Sequence, residues 1–136
     1  MKRFANSCFA LLLAASVSSA FACGVCVEDK IAAVYDHKVV TNAHDAGHQI
    51  VFCAIEGDIL PDNTLSHKMR QALESIGGVD RGSVRVSLDT ASLSFAFDPA
   101  RTPRTALIRT ANRKLAINGI KLAQLPNSIE RDQVLR

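Results

Sequence analysis

The stretch His48 to Glu56 (HQIVFCAIE) is apolar at both odd and even positions. Successive side chains of a strand point to opposite faces. A strand of this composition therefore needs cover on both sides, which places it centrally in a sheet. The elements after it follow from their spacing. Gly57 to Asn63 reads as a loop around Pro61, and a helix over Leu65 to Ile76 carries Leu65, Met69, Leu73 and Ile76 on one stripe before Gly77 stops it. Ser83 to Leu88 alternates, with Val84, Val86 and Leu88 inward and Ser83, Arg85 and Ser87 outward. A turn at Asp89-Thr90-Ala91 leads into Ser92 to Phe97, with Leu93, Phe95 and Phe97 inward, so the hairpin is expected to have one wet face.

Asp98-Pro99 ends that strand. Thr102 then reads as an N-cap with Pro103 at the first helical position. The helix is expected to run to about Ile117 with Leu107, Ile108, Ala111 and Leu115 on its apolar side, and Gly119 closes it. Ile120 to Leu125 is the last strand, Pro126 ends it, and the polar residues 127–136 read as a tail. Upstream, Val27 to about Ala46 reads as one helix, with Val27, Ile31, Val34 and Tyr35 in helical steps and Glu28 and Asp29 at its positive end. From His48 the order is βαββαβ. This is an α+β, ferredoxin-like sandwich over residues 48–125, preceded by an extra N-terminal helix within residues 23–47. That helix is expected to cover part of the sheet face bearing Val51, Cys53 and Ile55.

Residues 1–22 have the layout of a secretory signal peptide: Lys2 and Arg3, the apolar run Cys8 to Val17, and Ala20-Phe21-Ala22 before Cys23. The run is shorter than the roughly 20 residues a membrane span needs, and no later segment is long and apolar enough for one. The expected location is therefore exported, periplasmic or secreted. Cleavage after Ala20 is an alternative. A lipid anchor on Cys23 fits poorly, because Ala20 and Phe21 occupy the positions where a lipoprotein signal wants an aliphatic and a small residue. Loss of Lys2 and Arg3 takes the formal charge from +3 to +1. That balance, with only Tyr35, Phe52, Phe95 and Phe97 as aromatics after residue 22, argues against nucleic acid as a partner. The cluster Arg101, Arg104, Arg109, Arg113 and Lys114 reads as the solvated side of its helix, with an acidic partner surface as the alternative.

Three cysteines follow the leader: Cys23, Cys26 and Cys53. Cys23-Gly24-Val25-Cys26 sits at a helix start, where two thiolates can hold one soft ion and exposed backbone N–H groups favour the thiolate. Cu(I), Hg(II) and Zn(II) are the candidate ions. In an oxidising compartment the same pair can close as a structural disulfide or serve thiol–disulfide exchange. His37, His44 and His48 lie close in sequence and are possible added ligands, His37 and His44 sharing a helical face. Their alternative is a solvated role in a polar segment. Cys53 reads first as a small core residue and second as a third thiolate, should the N-terminal segment fold over it. No nucleophile elbow, zinc-protease helix motif, phosphate loop or paired carboxylates are present, so an enzyme is not expected.

Ile76-Gly77-Gly78-Val79, Ser83 to Leu88 and Leu93-Ser94-Phe95-Ala96-Phe97-Asp98-Pro99 resemble the heavy-metal-associated domain family over roughly residues 48–125. The resemblance implies the same βαββαβ order, soft-metal binding, and exchange of the ion with a metal-donor or metal-acceptor protein. It also implies a CxxC in the loop after the first strand, yet here that loop, Gly57 to Thr64, has no cysteine. The upstream piece Cys23 to Ile31 resembles the family's ligand loop and helix start, which carries the metal-binding role onto Cys23 and Cys26.

Overall fold

The computed structural model describes residues 26–126, so the leader, Cys23 and the tail from residue 127 lie outside the described residues. The elements are α1 (Val27–Val34), α2 (His37–Asp45), β1 (Gln49–Glu56), α3 (Asn63–Glu74), β2 (Arg85–Ser87), β3 (Ser92–Phe97), α4 (Arg104–Leu115), a 3₁₀ turn (Ala116–Asn118) and β4 (Lys121–Gln124). The sheet order is β2-β3-β1-β4, with every neighbour antiparallel. β1 is central, between β3 (Val51 opposite Phe95) and β4 (Ile55 opposite Leu122). This is the ferredoxin-like α+β topology that the order of elements implies.

One face of the sheet carries Val51, Cys53, Ile55, Leu93, Phe95 and Phe97. They pack with Met69 and Leu73 of α3 and with Leu107, Ala111 and Leu115 of α4. The opposite face holds Phe52, packed with Val34, Leu125 and the half-buried Val27, Ile31, Ile50 and Ala54. The expectation that α1 covers Val51, Cys53 and Ile55 is thus reversed in parity. Those residues belong to the α3–α4 core, and Phe52 is what α1 covers. The period of two leaves only these two choices, and a run apolar on both parities does not say which set meets which layer.

The hairpin's second face is not wet. Every residue of β3 is buried, including Ser92 and Ser94. Ser94 Oγ donates to the Val34 carbonyl at 2.7 Å, so the small polar side chain both permits the approach of α1 and satisfies its last turn. Lys30 Nζ donates to the carbonyls of Thr90 (2.6 Å) and Ala91 (3.3 Å), fastening α1 to the β2–β3 turn. Ala91 there has φ 47°.

The single helix expected over Val27 to Ala46 is two. Tyr35 and Asp36 are extended, and Asp36 caps α2 by accepting from the N–H groups of Lys38 (2.9 Å) and Val39 (3.2 Å). An aspartate cap competes well with helix continuation. Arg85 adds Nη2 and Nε contacts at 2.8 and 2.9 Å to Asp36 Oδ2. At α4 the N-cap is Pro103, not Thr102. Thr102 Oγ1 instead donates to the Gly77 carbonyl at 2.9 Å, joining the helix entry to the end of α3.

Two outcomes follow. Phe52→Ala should destabilise the fold by about 3–5 kcal/mol, read as a lower denaturation midpoint. The Val39 N–H first, and then Arg85, hold the Asp36 carboxyl below its usual value. Its folded pKa is depressed, so its stabilisation is present above the unfolded value and is lost as pH falls through the folded one. Thermal melts of Asp36→Ala against wild type should differ at neutral pH and converge in strong acid.

Candidate metal-binding site

Cys26 is the N-cap of α1 and is exposed. Its carbonyl accepts from the Lys30 N–H at 3.0 Å, the bond that closes the first turn. Because Lys30 is itself tied to the β2–β3 turn, the thiol sits one turn from a fixed point on the sheet. Beside it runs a groove lined by Val27, Glu28, Ile31, Ala32, Tyr35 and Pro126. Cys23, the other half of the motif, lies outside the described residues.

The helix start does not activate this thiol. Cys26 Sγ donates to Asp29 Oδ2 at 3.0 Å. That bond is the largest influence on the group, and its pKa is raised although the Asp29 backbone N–H pulls the other way. The lowering expected from the helix N-terminus is overturned by an acid placed there. Asp29 suits the positive end of the helix, but it also stabilises the protonated sulfur and sets a negative charge beside any thiolate.

Cys53 is not available as a third ligand. It lies in the α3–α4 core, fully buried, and burial pushes its thiol up to about 12. α1 packs on the other face. His37 and His44 are exposed and occupy the two ends of α2 on one face, as their spacing requires, with His44 Nδ1 3.6 Å from Asp45 Oδ1. His48 stands at the start of β1, with Nδ1 2.7 Å from Asp80 Oδ2. The anchor of α1 at Ala91 lies instead next to Ile55, near the end of that strand. Among the described residues, no three His, Cys, Asp or Glu side chains gather into a group able to hold an ion.

The loop between β1 and α3, where the family resemblance places metal ligands, is occupied by turn chemistry. Gly57 has φ 134°, and a Cβ there would stand 2.4 Å from the Gly119 carbonyl oxygen. Asp62 caps α3 through the Thr64 N–H at 2.9 Å. Sequence reasoning missed Asp29 as the partner of Cys26, although its i+3 spacing on a helix was visible. It also missed Asp80 and Asp98 beside His48, whose sequence separation leaves no local signal.

Asp29→Asn should lower the pKa of Cys26 by removing its main raising influence. In a Cys23→Ser background, alkylation rates against pH should then shift to lower pH for Cys26, while Cys53 stays unreactive until the protein is denatured.

No family model matches the chain, and no curated protein matches it. Among solved structures, oxidized MerP from Ralstonia metallidurans CH34 is similar at 18% identity, covering 57% of this chain and 96% of that one, with a TM-score of 0.44. The putative copper-ion-binding protein from Bacillus anthracis str. Ames is similar at 12% identity, covering 56% and 96%, also with a TM-score of 0.44.

Proposed function

We propose that the chain is a small exported soft-metal-binding protein in which Cys23 and Cys26 together hold one ion, which a partner protein donates or receives. The observation that carries this reading is the exposed Cys26 thiol, presented at the start of a helix fastened to the sheet. Thiolate ligands select soft ions. Zn(II) asks for four ligands in a structural site, whereas Cu(I) and Hg(II) accept two thiolates. Cys53 and His48 are committed elsewhere, so a two-thiolate site favours Cu(I) first, then Hg(II), over Zn(II).

A second reading has its own support. The apolar groove beside Cys26, with Tyr35 exposed, suits a non-catalytic interaction module in which Cys23 and Cys26 are joined by a disulfide.

The test is anaerobic Cu(I) titration of the chain beginning at Cys23, against a competing chelator. One equivalent should bind, and the Cys23→Ser, Cys26→Ser double variant should lose it. Binding should strengthen as pH rises, because the raised Cys26 thiol must lose its proton first. Equal affinity in wild type and double variant would sink the metal reading, and a stable Cys23–Cys26 disulfide without turnover of disulfide substrates would favour the interaction module. Mass analysis of the exported chain should give a mature form starting at Cys23.

A further inference from the structure

A groove of about 840 Å³ runs beside α1. Val27, Ile31, Ala32 and Tyr35 give it an apolar wall, with Cys26 and Glu28 at the start of the helix. Val27 and Ile31 turn part of their surface to Phe52 and leave the rest outside the core. Ala32 is exposed, and Tyr35 keeps 44% of its surface open. Single exposed apolar side chains are ordinary on a protein surface, whereas a mostly apolar trough of this size is of the kind that takes an occupant.

Pro126 completes the lining, and it is also the last described residue. Leu125 before it is fixed: its N–H donates to the Phe52 carbonyl at 2.8 Å, and its side chain is buried with Phe52 and Val34. Residues 127–136 therefore set out from the rim of the groove. They read Asn-Ser-Ile-Glu-Arg-Asp-Gln-Val-Leu-Arg, with Ile129, Val134 and Leu135 as the apolar residues. Ile129 lies four positions beyond Leu125, so a chain that stays extended brings it to the same face, the one α1 covers. The eight residues of α1 span about 12 Å, and ten extended residues reach roughly 33–36 Å. Glu130 and Asp132 balance Arg131 and Arg136, so the segment meets Glu28 without net repulsion. A covalently attached segment also has an effective concentration on the order of millimolar, against which a free partner must compete.

We infer that the groove is the seat of the chain's own C-terminal segment, residues 127–136, with Ile129 packed against Tyr35. The seated segment takes the open sides of Ile31 and Tyr35 out of water and narrows the approach to Cys26. The inference stands on the groove and on the sequence beyond Pro126, not on the metal reading. A partner of the interaction-module reading has to displace the segment, and its release widens the approach to the thiol at the same moment.

The test uses the full chain carrying Cys23→Ser, so that neither a Cys23–Cys26 disulfide nor a two-thiolate site forms and failure of the metal reading leaves the result intact. Tyr35 is the chain's single tyrosine, which makes its ring protons an unambiguous NMR probe. Nuclear Overhauser contacts should join them to the Ile129 methyl groups. Ile129→Ser should abolish those contacts, shift the Tyr35 ring resonances and speed alkylation of Cys26. Ala32→Glu, at an exposed position on the groove wall, should do the same from the other side. Circular dichroism checks that both variants fold, and the contacts in the unsubstituted segment give a result without either. Contacts from Tyr35 to methyl groups of residues 1–22 in place of Ile129, or contacts seen only between differently labelled copies of the chain, overturn the proposal. So does an Ile129→Ser chain whose Tyr35 signals and Cys26 alkylation rate are unchanged.

Discussion

The double-sided burial of β1 is the constraint on which the rest depends. Phe52 on one face and Val51, Cys53 and Ile55 on the other all leave water, and no single layer of helices can cover both. A four-stranded sheet with two helices on one side would leave Phe52 exposed. The N-terminal helices are therefore the third layer of one fold rather than an appendage. Burial of a side chain this large, on the order of 1.5–3 kcal/mol, is what holds α1 in place together with Lys30 and Ser94.

That packing has a bearing on the chemistry. The resemblance to heavy-metal-associated domains puts the ligand loop between β1 and α3, and here that loop is closed by Gly57 against Gly119 and by the Asp62 cap. Cys26 instead heads α1, which packs on the opposite face of the sheet. Its described surroundings differ accordingly: an adjacent carboxylate and an apolar groove, with Cys53 on the other face. A soft ion bound there would meet a local field set by Glu28 and Asp29 rather than by the core beneath the usual loop.

Most of the fold was legible because its elements are short and sharply punctuated. Gly77 and Pro99 mark the end of α3 and of β3, and the stripes of Met69 with Leu73 and Leu107 with Ala111 face the core as read. Much of what was not legible involves contacts between residues distant in sequence, while the i+3 bond from Cys26 to Asp29 is a local exception. The break at Asp36 depends on a local cap but is reinforced by Arg85, 49 residues on. The parity of Cys53 depends on which helices take which face. Of the candidate ligands, Cys53 as a small core residue and His37 and His44 as solvated side chains sharing a face match the reading. The places of Cys53 and His48 were set by tertiary packing.

The burial of Cys53 would bear on how such a chain matures under the proposed export. Under the export proposed above, the unfolded polypeptide would present Cys23, Cys26 and Cys53 together, and in an oxidising compartment any two of them could pair. Only closure of the α3–α4 core removes Cys53 from that competition, by hiding the sulfur and suppressing its thiolate. On that reading, collapse around β1 would have to precede oxidation. On the proposed reading, burial of Cys53 would leave the two N-terminal sulfurs to each other or to an ion.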